Sequence, residues 1–226
     1  MKANNLLLLV MIITMGLLST RAKSQEKKME MDDKRMSMNN NDMMPDLKSW
    51  PEASQMAAKD MMDKYGKPDV MGPEVLGWMN KGQWESIYVN KQVTKHSFPV
   101  EHTDMLMQTI SYKVPVEKYD ELGKFDGSVG VDRTQGLLSA RCDMEGNNLL
   151  ALNLAHDIIT GKKTVEEARK AYGEIVKEKM NGGNPEYMQK LTFSPQGGSG
   201  DPDINTTGLT KEDVMKGSKQ NMKSDR

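Results

Sequence analysis

The chain predicts an α+β fold: a mostly antiparallel sheet of about five strands, with helices packed on one face and a C-terminal helical hairpin among them. Three observations carry that prediction. Residues 104–114 alternate apolar and polar side chains, the period of a half-buried strand. Two pairs of apolar runs flank short turn-forming segments, Asn80-Lys81-Gly82-Gln83 and Asp132-Arg133-Thr134-Gln135-Gly136, which is the layout of hairpins. Other stretches repeat apolar residues every three or four positions, two of them behind a Ser/Thr-x-x-Glu start, as amphipathic helices do.

In chain order, Ser49 and Glu52 fit a capping box, with Pro51 near the first helical turn. Trp50, Ala53, Ala57, Met61 and Tyr65 follow at helical spacing until Gly66 and Pro68 stop the run. Residues 75–91 then read as a hairpin, although Pro73 at the front also suits a short helix. Asp104 to Val114 is a strand with Leu106, Gln108, Ile110, Tyr112 and Val114 on one face, ended by Pro115. Residues 117–124 suit one or two helical turns. The hairpin over 125–143 puts Val129 and Val131 on one side, and Leu138, Ala140 and Cys142 on one face of its second strand. Residues 147–161 form a mostly apolar helix with a polar stripe of Asn153, His156, Asp157 and Thr160. Thr164 and Glu167 cap a last helix whose buried side carries Val165, Ala168, Tyr172, Ile175 and Val176.

The ends read differently. Residues 1–22 have the plan of a secretory signal peptide: Lys2, an apolar run from Leu6 to Leu18, then Thr20 and Ala22 before a cleavage point. The run has 13 residues, short of the roughly 20 that cross a bilayer as a helix. No cysteine lies near it to take a lipid anchor, so a periplasmic or secreted protein is expected, with no membrane span after cleavage. Residues 23–48 are charged and Met-rich, and are expected to be a disordered leader. A single domain is expected over 49–193 and a disordered tail over 194–226, rich in Gly, Pro, Ser and Asp. Loss of Lys2 and Arg21 moves the formal charge from −1 to −3, with no basic face of the kind that nucleic acid requires.

The chemistry-bearing residues are few. His96-Ser97-Phe98-Pro99-Val100-Glu101-His102-Thr103-Asp104 holds two of the three histidines. The spacing of His96 and His102 matches neither a helical zinc pair nor a Cys/His finger. Two readings stand: a polar corner whose imidazoles meet backbone and water, with Phe98, Pro99 and Val100 tucked under the sheet; or a metal or catalytic site that Glu101, Asp104 and His156 join. Cys142 is the only cysteine and falls on an apolar face, which fits a small buried hydrophobe better than a reactive thiol. A second metal candidate is the leader: Met29, Met31, Met36, Met38, Met43 and Met44 come in close pairs, and thioethers are soft ligands that select Cu(I). Elsewhere methionine is expected to fill core gaps. The sequence lacks phosphate-binding loops, dinucleotide fingerprints and a nucleophilic serine elbow, so no catalytic residue and no organic cofactor is nominated.

Residues 78–172, through HSFPVEHTD, FDGSV, SARCD and NLLALNLAHDIITGKKTVEEARKAY, resemble a group of uncharacterised exported bacterial proteins. The resemblance covers under half of the chain and implies bacterial export; it brings no activity with it. The expected function is an exported domain that works by binding or in envelope upkeep, without catalysis. The alternatives are soft-metal binding through the leader and a metal-dependent enzyme at His96 and His102.

Overall fold

The computed structural model describes residues 44–216. A 3-10 turn at Leu47–Ser49 precedes helix α1 (Glu52–Tyr65). Strands β1 (Val70–Met71), β2 (Val75–Lys81), β3 (Trp84–His96) and β4 (His102–Ser111) come next, then helix α2 (Tyr119–Phe125), strands β5 (Val129–Asp132) and β6 (Leu137–Cys142), and helices α3 (Glu145–Ile159) and α4 (Val165–Met180). The strands form one antiparallel sheet in the order β1-β2-β3-β4-β6-β5. The fold class is therefore α+β, as the alternation and hairpin signals imply. The sheet has six strands where about five are expected. The addition is β1, whose two residues are too short to show any alternation.

The core lies between the sheet and the helices. Paired residues share a face, and the row Trp78, Ile87, Gln108, Ala140 and Val129 crosses the sheet by register. All but Val129 are buried. Helix α3 sits on this face, where Asn148 Nδ2 donates to Leu106 O and to Gln108 Oε1, each at 3.0 Å. Helix α1 sits beside it. Trp84 Nε1 and Tyr65 Oη both donate to Glu145 Oε1, at 2.9 and 2.6 Å, and Lys64 meets the second carboxylate oxygen at 2.9 Å. One half-buried carboxylate thus ties two helices to a strand. On the other face Gly77 leaves room for the Tyr88 ring, which a β-carbon there would meet at 2.8 Å.

Two local expectations are corrected. Ser49 and Glu52 form no capping box: Pro51 is the cap residue of α1, and Ser49 Oγ instead donates to Asp46 O at 2.8 Å in the preceding turn. Thr164 and Glu167 do form theirs, with reciprocal bonds of 3.2 and 2.8 Å. Part of the segment expected as a tail from Ser194 is hydrogen-bonded to the domain. Gln196 N donates to Ser111 O at 2.8 Å, Ser199 Oγ to Gly136 O at 2.9 Å and Asp201 N to Arg133 O at 3.1 Å. Gly136, at φ 69°, lets that segment approach so closely that a β-carbon would lie 2.5 Å from Gly200 N. Backbone pairing of this kind leaves no periodic signal in a Gly- and Ser-rich stretch. Among the described residues no helix is long and apolar enough to cross a membrane.

Candidate metal centre

A bulge in the central hairpin builds the site. Val89 pairs with Leu106, and Thr94 with Asp104, so residues 90–93 of β3 face Met105 alone. Such an insertion bends a strand and re-aims the side chains beyond it. Ser54 of α1 braces it by donating to Lys91 O at 3.2 Å. Past the bulge the register resumes and runs Thr94, Lys95 and His96 against Asp104, Thr103 and His102. His96 closes one strand and His102 opens the next, as direct partners. Asp104, two residues on, shares their face. Phe98 anchors the intervening loop, with its ring 5.1 Å from that of Tyr172 and the Arg169 guanidinium 3.8 Å above it.

The two imidazoles lie 4.9 Å apart, centroid to centroid. His96, His102 and Asp104 each offer one donor atom, and the three atoms lie within 4.8 Å of one another. Asp104 is 1% exposed. Its Oδ2 accepts from Ser128 Oγ and lies 3.3 Å from His96 Nδ1. Its Oδ1 accepts no hydrogen bond, although His102 Nε2 stands 3.0 Å away. The Nε2 proton position is out of line with Oδ1, and the other nitrogen of that ring sets the tautomer. His102 Nδ1 lies 2.8 Å from Val100 O, a carbonyl that only accepts, so Nδ1 carries the proton. In the neutral ring Nε2 then presents a lone pair to a carboxylate oxygen. A cation between them, a second ring proton or a metal ion, resolves that clash.

Two further groups border the cluster. Asp126, at the end of α2, lies 3.7 Å from His96 Nε2 and accepts from Ser128 N at 2.8 Å. Burial raises its carboxyl above the usual range. Cys142, at the end of β6, places Sγ 3.3 Å from His102 Nε2 and 3.4 Å from Asp143 Oδ1. The expected burial of Cys142 holds at 5% exposure. Burial first, then the Asp143 charge, pushes its thiol far up. That environment keeps the sulfur protonated, the opposite of what a nucleophile needs. Arg141 Nε lies 4.0 Å from Asp104 Oδ2. A cleft of about 400 Å³, lined by Glu74, Asn90, Gln92, Thr94, Asp104 and Arg141, reaches the cluster from outside.

His96 and His102 thus lie at strand ends and converge, while His102 Nδ1 also meets backbone at Val100 O, as the polar-corner reading expects. Of the corner's apolar residues, Phe98 packs on the core while Val100 is exposed. His156 is not part of the cluster. Its Nδ1 lies 2.8 Å from Tyr112 Oη, and its ring stacks on Phe193 at 4.1 Å. Tyr112 lies eight residues past Asp104 along an extended chain, roughly 27 Å, so a His102–Asp104–His156 assembly does not form. Asn153 and Asp157 of the same stripe serve packing too. Asn153 binds Tyr187 O, Lys190 O and Thr192 N, while Asp157 meets Lys162, Lys163 and Tyr187. Of the leader methionines, Met44 packs half-buried against the core, an apolar use of its side chain; Met29, Met31, Met36, Met38 and Met43 lie outside the described residues. Sequence reasoning missed Asp126 and Ser128 as neighbours of the histidines and could not place Cys142 beside them, because only the order β4-β6-β5 brings them there. No protein-family model, no curated protein and no solved structure matches the chain.

Proposed function

We propose that this chain is an exported binding domain that holds a divalent transition-metal ion at His96, His102 and Asp104, without catalysis. One observation carries the reading: a buried carboxylate oxygen with no hydrogen bond, facing an imidazole nitrogen whose ring is fixed from behind by a backbone carbonyl. A carbonyl partner on the far nitrogen is the outer arrangement that metal-binding histidines use, since it sets the tautomer and orients the ring. The cleft beside Asp104 supplies an entry path. Export rests on the sequence of residues 1–22, and non-catalytic use on the lack of a phosphate loop, dinucleotide fingerprint or nucleophile elbow in the sequence. Calorimetric titration of the full chain with Zn²⁺ tests the reading. Saturable binding of one ion, abolished in D104N, is expected. Binding of no ion, or binding that D104N leaves intact, overturns it.

A further inference from the structure

We infer that Cys142 is a fourth ligand of that ion, which makes the site one for a thiophilic, borderline cation of the Zn²⁺ type. The inference rests on metal binding at the cluster proposed above and adds the class of ion.

The geometry points there because three donors meet around one atom. His102 Nε2 lies 3.0 Å from Asp104 Oδ1 and 3.3 Å from Cys142 Sγ. Zinc bonds of about 2.0–2.3 Å at tetrahedral angles place ligand atoms roughly 3.3–3.7 Å apart. Two edges of about that size therefore already meet at His102 Nε2. His96 lies 3.3 Å from the other Asp104 oxygen, and the sulfur, which stands outside the three residues whose donor atoms lie within 4.8 Å of one another, joins them by a shift of its side chain. The burial of Asp104, with Oδ1 lacking a hydrogen bond, is independent of the cysteine and marks the same point.

The fold delivers the sulfur to it. Cys142 pairs in register with Leu106 across β4 and β6, which sets its side chain on the face that Asp104 uses two residues earlier. Hard cations are the wrong occupants. Ca²⁺ takes six to eight oxygens and Mg²⁺ an octahedron of them, whereas this set offers imidazole, carboxylate and thiol. Soft and borderline ions take such donors.

Binding is an exchange without redox change. The S–H bond of Cys142 breaks, a sulfur–metal bond forms, and the proton leaves to solvent. Asp143 Oδ1 then loses the thiol as donor but keeps the bond from Asn147 Nδ2 at 2.7 Å. No buried acceptor is stranded.

Co²⁺ titration of the full chain under reducing conditions tests this. We expect intense visible d–d bands together with a near-ultraviolet thiolate-to-cobalt charge-transfer band, both saturating at one equivalent. In C142S the near-ultraviolet band should vanish while Co²⁺ still binds through the other three ligands. Its affinity should fall by more than the roughly 10–100-fold that loss of an outer partner brings. Co²⁺ bound by the unmodified chain with no near-ultraviolet band, or a band that survives in C142S, overturns the role of Cys142 and leaves the metal reading standing. No saturable Co²⁺ binding overturns both. The spectrum of the unmodified chain decides the matter even if C142S fails to fold.

Discussion

His102 Nε2 lies 3.0 Å from Oδ1 of Asp104, from a position two residues earlier on the same strand. Alternate positions share a face, and the hydrogen bond behind the ring fixes which nitrogen points forward. Local strand geometry and one carbonyl therefore suffice to set two of the proposed ligands. His96 and Cys142 need the neighbouring strands.

That relationship has a thermal consequence. An ion that binds only the folded chain, at about 100 times its Kd, stabilises it by about 2.7 kcal/mol. For a chain of this size the melting temperature should rise by about 5–11 °C. D104N should lose the rise, because the amide removes the charge that balances the ion. H156A should keep it, since His156 binds Tyr112 and Phe193 away from the cluster. Scanning calorimetry with and without Zn²⁺ measures both. A rise in D104N equal to that of the unmodified chain would sink the assignment, as would its loss in H156A.

The range of each interaction decides how much of this was legible in the sequence. The Thr164 and Glu167 caps and the Asn80–Gln83 turn are local, and the structure keeps them. The strand expected over 104–114 spans His102–Ser111, but its burial does not alternate, because Met105 and Thr109 on one face are covered as well as Leu106 and Ile110 on the other. The bulge at residues 90–93 is not local. It exists because α1 braces Lys91 and β4 offers a single opposing residue, and no spacing in the chain announces it. The convergence of His96, His102, Asp104 and Cys142 depends on that bulge and on β6 lying beside β4. Sequence spacing could therefore name the histidines as candidates but not bring the cysteine to them. The same holds for Glu145, which precedes the helix expected over 147–161 and proves to accept from an indole and a phenol.

Glu145 gives the second prediction. Trp84 is 2% exposed, and its indole N–H points at this carboxylate and at Tyr65 Oη, 3.0 Å away. Burial, with the Glu145 hydrogen bond and charge after it, raises the Tyr65 phenol. E145A leaves buried donors poorly paired and should destabilise the fold by about 1–3 kcal/mol. Urea unfolding should show a lower midpoint at an unchanged slope. A midpoint within error of the unmodified chain would mean that the helices need no such tie.

Export is tested on the polypeptide itself. If residues 1–22 are removed as a signal peptide, the mature chain recovered from the periplasm or medium of a bacterial host begins at Lys23. Mass spectrometry of the intact protein reads this directly. A chain found in the cytoplasm with Leu6 to Leu18 still attached would end the export proposal while leaving the metal site untouched.

The acid limb of stability gives the last prediction. Burial pushes the Asp157 carboxyl up, but hydrogen bonds from Lys163, Lys162 and Tyr187 outweigh it and hold the group below its ordinary value. The folded chain therefore binds this proton less tightly than the unfolded one. By linkage, the contribution is fully present above the unfolded value of about 3.9 and is lost as pH falls through the lower, folded value. D157N has no proton to take up there. It should be less stable at neutral pH by about 1–3 kcal/mol, having lost a charged acceptor that serves three donors. The gap between the two chains should then narrow as pH drops from about 5 to about 2. Urea midpoints across that range measure the gap. A gap that stays constant would show that the Asp157 cluster adds no pH-dependent stability, and one that widens in acid would reverse the sign argued here.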